Sequence, residues 1–145
     1  MNILQAMEIS GSALTAERTR LNIAAMNMAN ANTTRTMEGG PYKAKSVVFA
    51  AKPLARRDFE STLRSASATL RKVEVAEVVE DKAPFKEVYD PSHPDADASG
   101  VVRMPNVNEV EQMVDIMGAK RAYEANVTAL DAVKSMAMKA LDISR

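Results

Sequence analysis

Over the first thirty residues, apolar positions recur at helical rather than strand spacing. Met7, Leu14, Leu21 and Met28 fall seven apart, with Ile3, Leu4, Ala24 and Ala25 beside them, so residues 2–29 read as one long amphipathic helix. Gly11 and the threonines at 15 and 19 lower its intrinsic propensity, which implies dependence on a partner. The stretch NMANANTT, residues 27–34, ends the pattern with three asparagines and two threonines. Asn30 and Asn32 are expected in the left-handed conformation that stops a helix, their amides bonding nearby backbone and a neighbouring copy.

A second helical period opens after Pro105, where Asn108 and Glu111 have capping-box spacing. Ile116, Tyr123, Leu130 and Ala137 repeat by sevens, joined by Met113, Val127 and Leu141 at the intermediate steps. Ala119, Ala122, Ala129, Val133, Met136 and Ala140 form a second apolar flank. That surface is broader than one partner helix covers, so the pattern implies several neighbours.

Between the helices the period changes. KSVVFAA, DFESTLR and TLRKVEVAEVVED are rich in β-branched residues and partly alternate, and are expected to form strands. YDPSHPDADASG carries turn chemistry almost throughout. The predicted fold class is α+β, with long terminal helices paired as an antiparallel coiled coil and a small β-rich insert between them. The segments are 1–34 for the first helix and its stop, 35–105 for the insert and 106–145 for the second helix.

Composition supports assembly over catalysis. The 145 residues include 4% aromatics, no Trp and ten Met, which argues against a large aromatic core. Nineteen basic and nineteen acidic residues cancel, so no net field favours nucleic acid or an anionic membrane. Absent cysteine excludes disulfides and thiolate chemistry. The N-terminus lacks a cationic start and a continuous apolar run, so export is expected without a cleaved signal peptide.

Asp90, His93, Asp95 and Asp97 are the one conventional ligand candidate, but the EF-hand glycine and distal glutamate are missing and turn chemistry explains the stretch. His93 is the sole histidine, and no GxSxG, Walker-type or GxGxxG pattern occurs. No catalytic, cofactor-binding or metal-binding residue is assigned, and no small-molecule substrate is expected. The acids Glu74, Glu77, Glu80 and Asp81 are expected on a solvated strand edge. A metal-binding loop and a cytoplasmic coiled-coil adaptor remain the rival readings.

Four stretches carry a resemblance: NMANANTTRT, GGPYKAKSVVF, YDPSHPDADASGVVRMPNVN and the terminal run from EVEQMV to KALDI. Together they resemble the axial proteins of the bacterial flagellum, rod and hook, and among these the proximal rod subunits. The resemblance spans nearly the whole chain. It implies a non-enzymatic structural subunit, exported through the flagellar type III apparatus and stacked with its own copies and other rod proteins into a helical drive shaft in the basal body, across the periplasm. It also implies terminal helices pairing along the inner tube.

On that footing the seam within a subunit is assigned to Met7, Leu14, Leu21, Met28, Met113, Ile116, Tyr123, Val127, Leu130, Ala137 and Leu141. Contacts between subunits are assigned to Asn27, Asn30, Asn32, Thr33, Ala119, Ala122, Val133 and Met136.

Overall fold

A computed structural model describes residues 3–54 and 70–143. Helix α1 spans Ile3–Ala29 and helix α2 Glu109–Ile143. Four strands lie between them: β1 Lys45–Pro53, β2 Arg71–Glu80, β3 Lys86–Tyr89 and β4 Val101–Met104. They pair as two separate two-stranded antiparallel sheets, β1 with β2 and β3 with β4. The DFESTLR stretch lies outside the described residues.

The β1–β2 pair holds Lys45 opposite Glu80 and Pro53 opposite Arg71, with a bulge between Val48 and Phe49 that bends the ribbon. Glu74, Glu77, Glu80 and Asp81 are exposed. The β3–β4 hairpin aligns Val88 with Val102 and closes through the Asp/Pro-rich loop. Sequence periodicity did not mark these two strands, because four residues are too few to establish an alternation.

Helix α1 is covered on two sides. Its contacts with α2 run in opposite senses, Asn27 meeting Gln112 and Arg20 meeting Asp115. Its other flank meets the β1–β2 ribbon, where Ser12 Oγ accepts the Val73 N–H at 3.2 Å and Lys72 pairs with Glu8 at 3.0 Å. Surface that the sequence left for neighbouring copies on α1 is thus partly taken up by the chain's own ribbon.

Buried apolar side chains are few and small. Among the described residues they are Ala16, Ala24, Ala31, Tyr42, Ala44, Val102, Val107 and Ala119. Four of these, Ala31, Tyr42, Ala44 and Val107, form one cluster where the end of α1, the lead-in to β1 and the lead-in to α2 meet. Large side chains such as Val114, Met117, Met138 and Leu141 stay exposed along α2. No described helix is long and apolar enough to cross a membrane.

A candidate assembly junction

Asn27 stands at the centre of this meeting point. It is 1% exposed on the inward face of α1, where a polar side chain needs a partner for every donor and acceptor. Its Nδ2 donates to the Lys45 carbonyl at 2.7 Å and to Gln112 Oε1 at 2.9 Å. Its Oδ1 accepts from the Tyr42 hydroxyl and from the Lys45 N–H, both at 2.9 Å. These partners fix which way the amide points, since turning it over would aim its NH2 at two donors. The first residue of β1 is therefore bonded through both backbone groups to a helix side chain.

Asn106 closes the junction from the other side. Its Oδ1 accepts the Ala44 N–H at 2.8 Å, and its Nδ2 donates to the Ala83 carbonyl at 3.2 Å. Lys86 reaches the Val107 carbonyl at 2.6 Å, and the Ala44 carbonyl accepts from Asp81 N–H at 2.7 Å. Burial, then the charge of Glu80, raises the Tyr42 phenol above its ordinary value, which keeps it a donor to Asn27. A cleft of ≈ 440 Å³ opens beside Asn27, with Arg20, Asp81, Glu111 and Asp115 on its walls.

The chain reaches this point through a tight bend. Asn30 donates from Nδ2 to the Met26 carbonyl at 2.9 Å, which also accepts its backbone N–H at 3.1 Å, while its Oδ1 accepts from Thr33 Oγ1 at 3.2 Å. The left-handed conformation expected of Asn30 and Asn32 does not occur. Positive φ is confined among the described residues to Gly39, Gly40 and Gly100. The side-chain bond to Met26 and a 3.2 Å bond from Ala31 N–H to the Met28 carbonyl end the helix without it. The reversal is made later, at Gly39 and Gly40, which fold residues 36–40 back so that Tyr42 N–H reaches the Thr33 carbonyl at 3.0 Å.

The expected capping box at α2 is also absent. The Asn108 carbonyl accepts the first helical bond from Gln112, but no side-chain bond links Asn108 to Glu111. Acidic residues at Glu109 and Glu111 supply favourable charge at that end instead.

Along the helices, Met7, Leu14, Leu21 and Met28 lie half-buried at the margin of α1's covered face, whose centre is held by Ala16, Ala24 and Asn27. On α2, Ile116, Leu130 and Ala137 fall on the covered side, with Ala119, Ala122 and Val133 between them. Ala119 is 0% exposed. Tyr123, placed on the seam by its sevenfold spacing, and Met113, Val127 and Leu141, placed there at the intermediate steps, are exposed, as is Met136. Asn32 is exposed and makes no hydrogen bond among the described residues, whereas Thr33 is half-buried in the bend. Tyr42, Lys45, Asn106 and Gln112 escaped the sequence reading. Asn27 and Gln112, as amides on covered helix faces, were its usable signal.

The Asp/His loop spends its acids on its own backbone. Asp90 Oδ1 accepts from the amide and hydroxyl of Ser92, and Asp97 Oδ1 from Ser99 and from Val101 N–H. These bonds, Ser92's hydroxyl first for Asp90 and Ser99's for Asp97, hold both carboxyls below their usual range. Their contribution to the loop is present above the unfolded carboxylate range and is lost as pH falls through the lowered value. Gly100 has φ +78, and a Cβ there would meet Tyr89 Cε2 at 3.0 Å. Asp95 Oδ2 accepts from Thr34 at 2.7 Å, tying the loop to the bend. No group of three metal-ligating side chains converges among the described residues.

Comparison with known proteins places these segments. Residues 7–35 match the family described as flagella basal body rod protein, and residues 98–143 match the C-terminal region of the flagellar basal body rod FlgEFG proteins. Over its full length the chain is 45% identical to a flagellar basal-body rod protein FlgC of Escherichia coli O6:H1, covering all of both chains. It is 40% identical to the FlgC of Bacillus subtilis, again over all of both. A third, from Borreliella burgdorferi, is 39% identical over 99% of this chain and 98% of its own. The chain belongs to the FlgC family of flagellar basal-body rod proteins. Within this FlgC-family chain, the two matched segments supply the two sides of the junction, Asn27 from the first and Asn106 with Gln112 from the second.

Proposed function

We propose that the chain is a structural, non-enzymatic subunit of the proximal flagellar rod, polymerising with its own copies and with other rod proteins into the helical shaft that transmits torque. Full-length identity to FlgC proteins supports the rod assignment. The observation that carries self-assembly is the outer face of α2. Val110, Met113, Val114 and Met117 are exposed on its first turns, opposite the side that meets α1. Head-to-side contacts through such a face generate an open helical array rather than a closed dimer.

In this reading the terminal helices act as an antiparallel coiled-coil unit, supported by the Asn27–Gln112 and Arg20–Asp115 contacts. Met113, Met117 and Met136 face neighbouring copies together with Asn32. Asn30 and Thr33 set the bend, and Asn27, Ala119, Ala122 and Val133 hold the subunit together. Export runs through the flagellar type III apparatus without a cleaved signal peptide, and the assembled protein sits in the basal body, within the rod that crosses the periplasm.

Complementing a strain that lacks this subunit, then fractionating basal bodies and imaging them by cryo-EM, tests the proposal. The chain is expected in the rod, with its helices toward the axis. A complementing protein that stays in the cytoplasm, as an adaptor would, overturns it.

A further inference from the structure

We infer that Asn27 is a register-setting residue: its amide selects one axial and rotational setting of α1 against α2 and β1, beyond holding the segments together. The contact beneath it is poor in directional information. Ala16, Ala24, Ala119 and Ala122 are small and alike, so a shift along the helices exchanges one alanine for another. The cluster of Ala31, Tyr42, Ala44 and Val107 holds the segments close through area, which has no preferred direction.

Directional contacts between the two helices differ in how firmly they hold. The hydrogen bond from Asn27 to Gln112 and the half-exposed Arg20–Asp115 pair at 2.6 Å both cross between α1 and α2. A solvated ion pair adapts to movement through its long side chains, whereas an amide that is 1% exposed does not. One turn of slip toward Ile116 would set Asn27 against a side chain with no acceptor and strand the half of Nδ2 that bonds Gln112. The same side chain holds both backbone groups of Lys45, so a single amide sets the helix pair and the start of the ribbon together. A buried polar residue in an otherwise interchangeable apolar seam fixes alignment at some cost in stability.

The chain has no cysteine, so Asn22→Cys and Arg121→Cys, both at exposed positions, allow spin labelling of the full chain at two chosen sites. Pulsed electron-paramagnetic-resonance distances are read alongside helical circular dichroism. The parent pair is expected to give one narrow distance. Asn27→Leu is expected to keep its helical signal and gain a second distance, from molecules in which α1 has slipped by about 5 Å, one helical turn. Gln112→Leu, which spares the bonds to Tyr42 and Lys45, is expected to add the same population. Tyr42→Phe and Arg20→Ala are expected to keep a single distance.

Should Asn27→Leu lose its helical signal, Gln112→Leu decides alone. A single parent-like distance in Gln112→Leu, or several distances in the parent, overturns the inference. So does a uniform loss of thermal stability across the variants with no new distance, which is the signature of a bond that only stabilises.

Discussion

Around Asn27 the amide is bonded at every position and the neighbouring apolar atoms are enclosed, whereas Met136, Met138 and Leu141 at the far end of α2 are 58%, 59% and 68% exposed. One helix thus begins in a saturated polar junction and ends with methionines in the open. The first arrangement needs nothing outside the chain. The second leaves apolar area that only another surface can cover, and methionine's flexible thioether suits a contact that must adapt to more than one neighbour. Cohesion of the subunit belongs to the face of α2 that meets α1 and cohesion of the assembly to its outer face, which alone remains at the far end, and substitutions can test the division.

The largest effect is expected from Val107→Ala, which empties part of the enclosed cluster. It should lower the stability of the free subunit by about 2 kcal/mol in denaturant unfolding. Asn106→Ala strips the Ala44 N–H of its acceptor and should cost about 1–2 kcal/mol. If either leaves the unfolding midpoint unchanged, the junction is not where the subunit's stability resides.

Tyr42→Phe removes one donor to Asn27 and should cost about 1 kcal/mol. The same bond gives a pH dependence. Because the Tyr42 phenol is raised, its contribution is fully present below the ordinary tyrosine range and is lost as pH rises through the elevated value. Stability should therefore fall at alkaline pH in the parent and fall less in Tyr42→Phe, a difference that urea titrations across that range would register.

Smallest in the free chain, and most informative, are Met136→Ser and Met138→Ser. Each should change stability by less than about 0.5 kcal/mol, because neither side chain is enclosed. Under the proposed function both should reduce incorporation into basal bodies. Equal losses of stability at the two ends of α2 would erase the contrast.

The two helices and the β1–β2 ribbon were legible because each carries its period over nine residues or more. The facing of the helices was less so. Counting by sevens placed Tyr123 and Val127 inside, but Ala119, Ala122 and Asn126 take the covered side there. The search for large apolar residues passed over a seam built largely from alanine.

The asparagine-rich bend was recognised as a helix stop, but its mechanism was not. Side-chain bonds at Asn30 and the later turn at Gly39–Gly40 replace the left-handed asparagines, a choice that local sequence does not distinguish. The junction itself was hidden for a simpler reason. Its members are single residues scattered from position 27 to 112, and no local pattern joins them.

That scatter bears on the order of events when the polypeptide is made. Eighty-five residues separate Asn27 from Gln112, so a chain emerging from its amino end carries one half of the lock long before the other exists. Closing so wide a loop is slow compared with forming a local helix. Until the last third of the chain arrives, the leading segment stays unlatched.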